Sequence, residues 1–302
     1  MIANLSLLTA VLAFSSIEVT ISPIRHQIDP LALTFWRFAL ASICLLPFAF
    51  RKKELDRFPR DFKSIFPIIL LGILNVVLSM GLHAVSVANC RPSTAAVLIA
   101  SNPMFTNIFA LLILREKLSK GRIVSIILGL SGVYLVTFKS FQGIDTLTGI
   151  LSGLAAAIGF SLYTVLTKES VQKFGSLNNA MIGFLAGCAI DIPILHFAGI
   201  KIMPMPELWP RLIFLGVVVS GIGYLAFFKA LSLLSAGKTS LLFFLKPPVS
   251  IGLAWLILGD NPNFFQLSGA FLIMTGIIAE KRLSPSPSIS VNSGADCHLE
   301  RM

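Results

Sequence analysis

The sequence predicts an all-α integral membrane protein of ten transmembrane helices, built as two inverted five-helix repeats around a central cavity. Three observations carry that prediction. Only 13% of the 302 residues are charged while 55% are hydrophobic, against about 25% charged in soluble domains. Apolar runs of roughly twenty residues, enough to cross a bilayer at 1.5 Å per residue, recur along almost the whole chain between short polar loops. The chain also aligns on itself at a nearly constant offset.

The spans read as 4–24, 31–50, 65–87, 93–114, 121–138, 147–167, 177–199, 210–233, 237–258 and 264–280. Leu5 to Ile21 lacks a basic leader and a small-x-small cleavage site and is read as a retained first span. Residues 283–302, rich in Ser and Pro around Ser284-Pro285-Ser286-Pro287, have the composition of a disordered tail.

Charge supplies the expected topology. With an even number of spans and the N-terminus inside, sixteen Lys and Arg fall in cytoplasmic segments, five outside, and three (Arg37, Lys229 and Lys246) within spans. The positive-inside rule then places both termini in the cytoplasm and the protein in a plasma membrane, the bacterial inner membrane. The formal net charge of +10 is explained by this topology rather than by nucleic acid, because the basic residues flank apolar spans and form no aromatic-interleaved face.

At an offset of 146, Phe14-Ser15-Ser16-Ile17-Glu18-Val19 lies on Phe160-Ser161-Leu162-Tyr163-Thr164-Val165, Phe38 on Phe184, and Pro47 on Pro193. At 144, Val97 to Pro103 lies on Leu241 to Pro247, Leu112-Ile113-Leu114 on Leu256-Ile257-Leu258, Glu116 on Asp260, and Gly132 on Gly276. Residues 1–140 and 147–282 are therefore two copies of one unit. Five spans per copy is an odd number, so the second copy enters the membrane in the opposite sense. Inverted repeats of this kind place a site at the midplane, between halves that rock.

Polar groups inside the spans are expensive and mark function or pairing. A carboxyl in hydrocarbon favours its neutral form, which makes Glu18 a candidate for proton coupling or for capture of a substrate ammonium. A reach to the interface or a structural pair with Arg37 stands beside that reading. Lys246 precedes Pro247 and Pro248, which remove backbone donors. It reads as a cavity cation for a substrate carboxylate or a switchable ion pair, with snorkelling toward the cytoplasm as the alternative. Asn102, its repeat partner before Pro103, is placed in the same lining, with Asn75 and Tyr224 as further substrate-binding candidates. Asp191 is a second titratable candidate for coupling or gating. Pro47, Pro103, Pro193 and Pro247 are expected hinges. Lys229 is read as snorkelling, His83 and His196 as interfacial or structurally bonded, and Phe243 and Phe244 as lipid-facing.

Cys44, Cys90, Cys188 and Cys297 have no ligand-like spacing, so no metal or cofactor is expected. A lipid-modifying membrane enzyme would need a catalytic cluster, and HExxH, DxxD and GxSxG are absent from the sequence. A non-transporting scaffold would have no use for inverted symmetry.

The five-span repeat, Arg37 in span two, Ala84-x3-Ala88, the Asn102-Pro103 and Lys246-Pro247 turns, and Leu112-x-Leu114-Arg115-Glu116 together resemble the drug/metabolite transporter superfamily, EamA-type, over roughly residues 5–282. The resemblance implies a ten-helix secondary transporter, often an exporter of amino acids, related metabolites or drugs. Glu18 and Asp191 suggest protons as the coupling ion, and a monomer or homodimer in the lipid bilayer is expected. Asp260 stands where the family's second copy has glutamate.

Overall fold

Backbone amides in a bilayer must be satisfied within the segment that carries them, and this chain meets that demand with helix. The computed structural model describes residues 2–90, 92–137, 146–259 and 264–283, and every regular element among them is helical. Seven helical runs are long and apolar enough to span a membrane: Ile2–Ile24, Pro30–Ala49, Phe62–Asn89, Leu147–Phe174, Ser176–Phe197, Pro206–Leu233 and Ala236–Ile257. Leu98–Ile113 and Leu267–Ala279 are shorter apolar helices, and Lys120–Thr137 is a further helix. The tail residues 284–302, and Asp260 with Asn261, lie outside the described residues.

Helix starts follow local chemistry. Asp29 accepts from the Leu31 amide at 2.8 Å with Pro30 in the first turn, Asp61 from the Ser64 amide at 2.9 Å, and Thr146 from the Gly149 amide at 3.1 Å. Each side chain satisfies an amide that has no partner in its own helix. Gly175, at φ 87°, both ends Leu147–Phe174 and starts Ser176–Phe197; a residue with a Cβ would be strained in that conformation.

Several spans are interrupted. Ser16 separates helices Ile2–Ser15 and Ile17–Ile21, Ser101 separates Pro92–Ala100 from Asn102–Ile113, and Leu241 separates Ala236–Ser240 from Leu242–Leu258. Leu74–Met80 and Phe214–Gly223 are π-helical, a geometry common at functional sites. In the first, the Ser79 hydroxyl donates to the Leu74 carbonyl at 2.8 Å. Of the expected hinges, Pro103 lies two residues past the Ser101 break, whereas helix continues through Pro47, Pro193 and Pro247. The break nearest Pro247 falls six residues before it, at Leu241.

Packing exchanges partners between the two parts of the chain. Ile2–Ser15 packs on Phe214–Gly223, Tyr224–Leu233 and Leu242–Leu258, while Leu147–Phe174 packs on Leu74–Met80, Gly81–Asn89, Pro92–Ala100 and Asn102–Ile113. Pro30–Ala49 lies against Ser176–Phe197, and Lys120–Thr137 against Phe264–Leu283. Gly72 and Gly183 let Phe62–Ile73 and Ser176–Phe197 approach so closely that a Cβ on Gly72 would overlap the Gly183 backbone. Small residues serve this purpose in membrane helix packing.

Candidate functional site

Glu18 and Lys246 meet inside the protein. Glu18 sits in the short helix after the Ser16 break and Lys246 in the second turn of Leu242–Leu258, and both are almost fully buried. The Lys246 Nζ donates to Glu18 Oε1 and forms an ion pair with it. The Ser250 hydroxyl, one turn beyond Lys246, donates to the Ser15 carbonyl at 2.8 Å, so Leu242–Leu258 is tied to the first span on both sides of the Ser16 break.

Of the readings of these two charges, the contact matches an ion pair for Lys246, and the partner of Glu18 is Lys246 rather than Arg37, although counting along the spans sets Glu18 nearer the outer face than Lys246. Depths counted at 1.5 Å per residue from the two cytoplasmic span ends differ by only about 7–8 Å. The count also assumes uninterrupted helices, and both segments are broken.

Beside the pair, on the Lys246 side, the described residues form a narrow chamber. Phe14, Ile17, Arg37, Met80, His83, Ile99, Phe160, Tyr224, Phe243 and Lys246 line a cavity of about 20 Å³, room for about one water molecule against the ~300–1,000 Å³ of ordinary ligand pockets. The space is too small for an organic solute. Its walls are aromatic: Phe14 stacks on Phe243 with centroids 5.9 Å apart, Phe160 meets Phe243 edge-on at 5.3 Å, and Phe14 meets Tyr224 at 5.3 Å. Phe243 and Phe244 are buried, which corrects their reading as lipid-facing. Packing against Phe14 and Phe160 is what draws Phe243 inward.

Within this apolar chamber the polar groups are incompletely partnered. Arg37 is 1% exposed, its Nε and Nη2 have no hydrogen-bond partner, and its guanidinium carbon lies 5.5 Å from the Phe38 ring centroid. Glu18 Oε2 is also without a partner. His83, read from the sequence as interfacial or structurally bonded, is buried here with Nε2 unpartnered and 4.0 Å from Glu18 Oε1. The Tyr224 hydroxyl donates to Asn75 Oδ1 at 3.2 Å, tying together the two π-bearing spans.

The remaining candidates lie elsewhere. Asn102 is fully buried at the Ser101 break, where its Oδ1 accepts from Thr106 at 2.9 Å and its carbonyl from Ser161 at 3.0 Å. Asp191 is buried in Ser176–Phe197 with Oδ2 unpartnered and does not line the chamber. Lys229 is exposed and borders an open cleft of about 570 Å³ with Arg51, Arg57 and Glu54.

A second charged cluster surrounds Glu116. Its carboxylate accepts from Lys168 Nζ at 2.7 Å and from the amides of Ala236 and Gly237 at 2.8 and 3.3 Å, and Arg122 Nη1 lies 3.7 Å away. Arg122 Nη2 also donates to Ser235 Oγ at 3.0 Å. Burial pushes the Glu116 carboxyl up, but the Lys168 hydrogen bond and the two amides outweigh it and hold the group below its ordinary value. The sequence singled out Glu116 as a repeat acid and as the end of the Leu112-x-Leu114-Arg115-Glu116 motif; its hydrogen-bond partners are 52 to 121 residues away and nothing local announces them.

The EamA-like transporter family model matches residues 1–138 and again 147–279. The chain belongs to the EamA-like transporter family. An uncharacterized transporter of Clostridium kluyveri is 31% identical over 281 residues, 90% of each chain. The uncharacterized transporter YyaM of Bacillus subtilis is 26% identical over 83% of this chain and 84% of its own. A crystal structure with 18% sequence identity superposes with a TM-score of 0.79 over 93% of this chain and 97% of the other, which is a likeness of fold. This EamA-like chain is thus a multi-pass membrane protein of a transporter family. Its two family matches contribute one partner each to the buried pair: Glu18 from the first and Lys246 from the second.

Proposed function

We propose that this protein is a secondary active transporter that exports small polar metabolites, such as amino acids or drugs, by alternating access. Its setting is the bacterial inner membrane with both termini cytoplasmic. The observation that carries the reading is the Glu18–Lys246 pair, which joins the two family-matched halves beside a narrow aromatic chamber. The exchange of packing partners between Ile2–Ser15 and Leu147–Phe174 supports the ten-helix inverted repeat, as does the pair of π segments.

A chamber too narrow for a solute must widen before one can enter, and rocking of the halves separates groups that come from different halves. The cost of leaving Glu18 and Lys246 apart and buried is high, so solute or protons must answer each charge as the halves part. Lys246, Asn102, Tyr224 and Asn75 are the substrate-binding set in this reading. Glu18, Arg37 and Asp191 serve coupling or gating. Protonation of Glu18 would remove the charge that holds Lys246, which couples the pair to a proton gradient. Pro47, Pro103, Pro193 and Pro247 soften the helices that move.

Counterflow in vesicles reconstituted with purified protein tests this. Lys246→Ala should abolish solute exchange with normal expression and insertion, and retained full flux would remove Lys246 from the mechanism. In the same assay Glu18→Gln should lose the pH dependence of the parent. If that dependence is kept, coupling through Glu18 must be abandoned.

A further inference from the structure

Arg37 is the charge in the chamber that its neighbours do not answer. A guanidinium does not deprotonate in proteins, and an uncompensated buried cation in a low-dielectric site is strongly disfavoured. Glu18 reaches the chamber through Lys246, which already holds one of its oxygens. Nε and Nη2 of Arg37 remain as buried donors without acceptors, in a lining whose other members are largely aromatic and aliphatic.

We propose that the chamber binds an organic carboxylate with an aromatic or bulky apolar body and no ammonium group, its carboxylate taken by Arg37 and its body by Phe14, Phe160, Tyr224 and Phe243. The assignment rests on the transporter reading of the same chamber and narrows its solutes to acids without an ammonium group, which moves Arg37 from gating to substrate contact and leaves Lys246 with Glu18. Two parallel hydrogen bonds from the guanidinium fork match the geometry of a carboxylate. The charges then cancel: Lys246 with Glu18, and Arg37 with the solute. A zwitterionic amino acid leaves the chamber with one uncancelled positive charge, and its ammonium would have to compete with Lys246 for Glu18. A simple amine offers Arg37 nothing. A small hydrophilic acid satisfies Arg37 but leaves the aromatic walls without an apolar partner. Because the chamber holds about 20 Å³, it has to widen before such a solute enters.

The test is binding of phenylacetate, phenylpyruvate, phenylalanine, phenethylamine and acetate to the full-length protein in lipid nanodiscs, read by calorimetry and thermal shift. Phenylacetate and phenylpyruvate should bind, phenylalanine at least about tenfold more weakly, and phenethylamine and acetate not measurably. Arg37→Gln should weaken phenylacetate by about 10–100-fold, the scale of a lost charged hydrogen bond, and Arg37→Lys should recover part of it. Should Arg37→Gln fail to fold, the preference for phenylacetate over phenethylamine and phenylalanine on the unaltered protein decides the matter. Equal or tighter binding of phenylalanine or phenethylamine overturns the proposal. So does undiminished phenylacetate affinity in a folded Arg37→Gln protein, or no binding by either aromatic acid. Flux separates this from the wider reading. Lys246-dependent exchange of another solute without aromatic-acid binding ends the substrate assignment alone, whereas binding without any exchange ends the transport reading.

Discussion

Glu18 and Glu116 are both acids of the first family-matched half that meet a lysine of the second, and they are served very differently. Glu116 receives Lys168, two backbone amides at the start of Ala236–Ser240, and a neighbouring Arg122. Glu18 receives Lys246 on one oxygen and nothing on the other, with the unpartnered donors of Arg37 and His83 in the same chamber. A buried polar network stabilises when every member is satisfied, and a half-satisfied one does not. Both oxygens of Glu116 have hydrogen-bond partners, although Arg122 Nε and Nη1 have none, so the Glu116 cluster is the better satisfied of the two. In the proposed transport reading, it is the Glu18 cluster that changes partners.

The largest expected effect breaks this contrast at Glu18. Lys246→Met leaves a buried carboxylate alone and should destabilise by about 3–5 kcal/mol, while Glu18→Gln combined with Lys246→Met should recover most of that loss. Apparent unfolding temperatures of the single and double variants in one detergent measure the coupling. A double variant no more stable than Lys246→Met would mean that the pair is not what organises the chamber.

A smaller effect is expected at Glu116. Glu116→Gln keeps an acceptor for the amides but loses the charge facing Lys168, and should cost roughly 1.5–3 kcal/mol. The pH dependence has a defined sign. The folded carboxyl is held below its ordinary value, so its contribution is present above the unfolded pKa of about 4.3 and is lost as pH falls through the lower folded value. Unfolding temperature measured from pH 6 to pH 3 should drop at the acid end more steeply in the parent than in Glu116→Gln. Parallel curves would show that the cluster contributes little.

The smallest effect concerns the cap that positions those amides. Ser235 Oγ accepts from the Lys238 amide at 3.2 Å and from Arg122, so Ser235→Ala should cost about 1 kcal/mol. Transport should be affected less than by any change at Lys246. If Ser235→Ala instead abolished exchange while the protein stayed folded, the Glu116 cluster would have to be counted among the moving parts.

Much of the chamber could be read from the chain, in a form that did not announce itself. Phe14 and Phe160 coincide in the repeat alignment and both line the chamber, and Glu18, Arg37 and Lys246 stood out as charges in apolar runs. His83 did not, because a lone histidine near a span end looks the same whether it faces lipid headgroups or a carboxylate on another helix. Phe243 was equally ambiguous: with 24 phenylalanines in the chain, composition carries no direction. Asn102 and Lys246 occupy equivalent positions at an offset of 144, yet the helix breaks fall at Ser101 and Leu241. The second break is one turn early in that register, enough to place Lys246 inside a continuous helix while Asn102 begins one.

The sequence by itself determined that this is a multi-pass helical membrane protein of the EamA-like family. Hydrocarbon permits few structures, and the spacing of apolar runs and loops records which one was taken. It also determined which charges would be costly. Only the tertiary structure decided that Glu18 belongs to Lys246 rather than to Arg37, since an ion pair 228 residues apart depends on how broken helices tilt and pack. Arg37, whose charge is obvious in the sequence, acquires its meaning from the missing partner, and that is a property of the folded chamber alone.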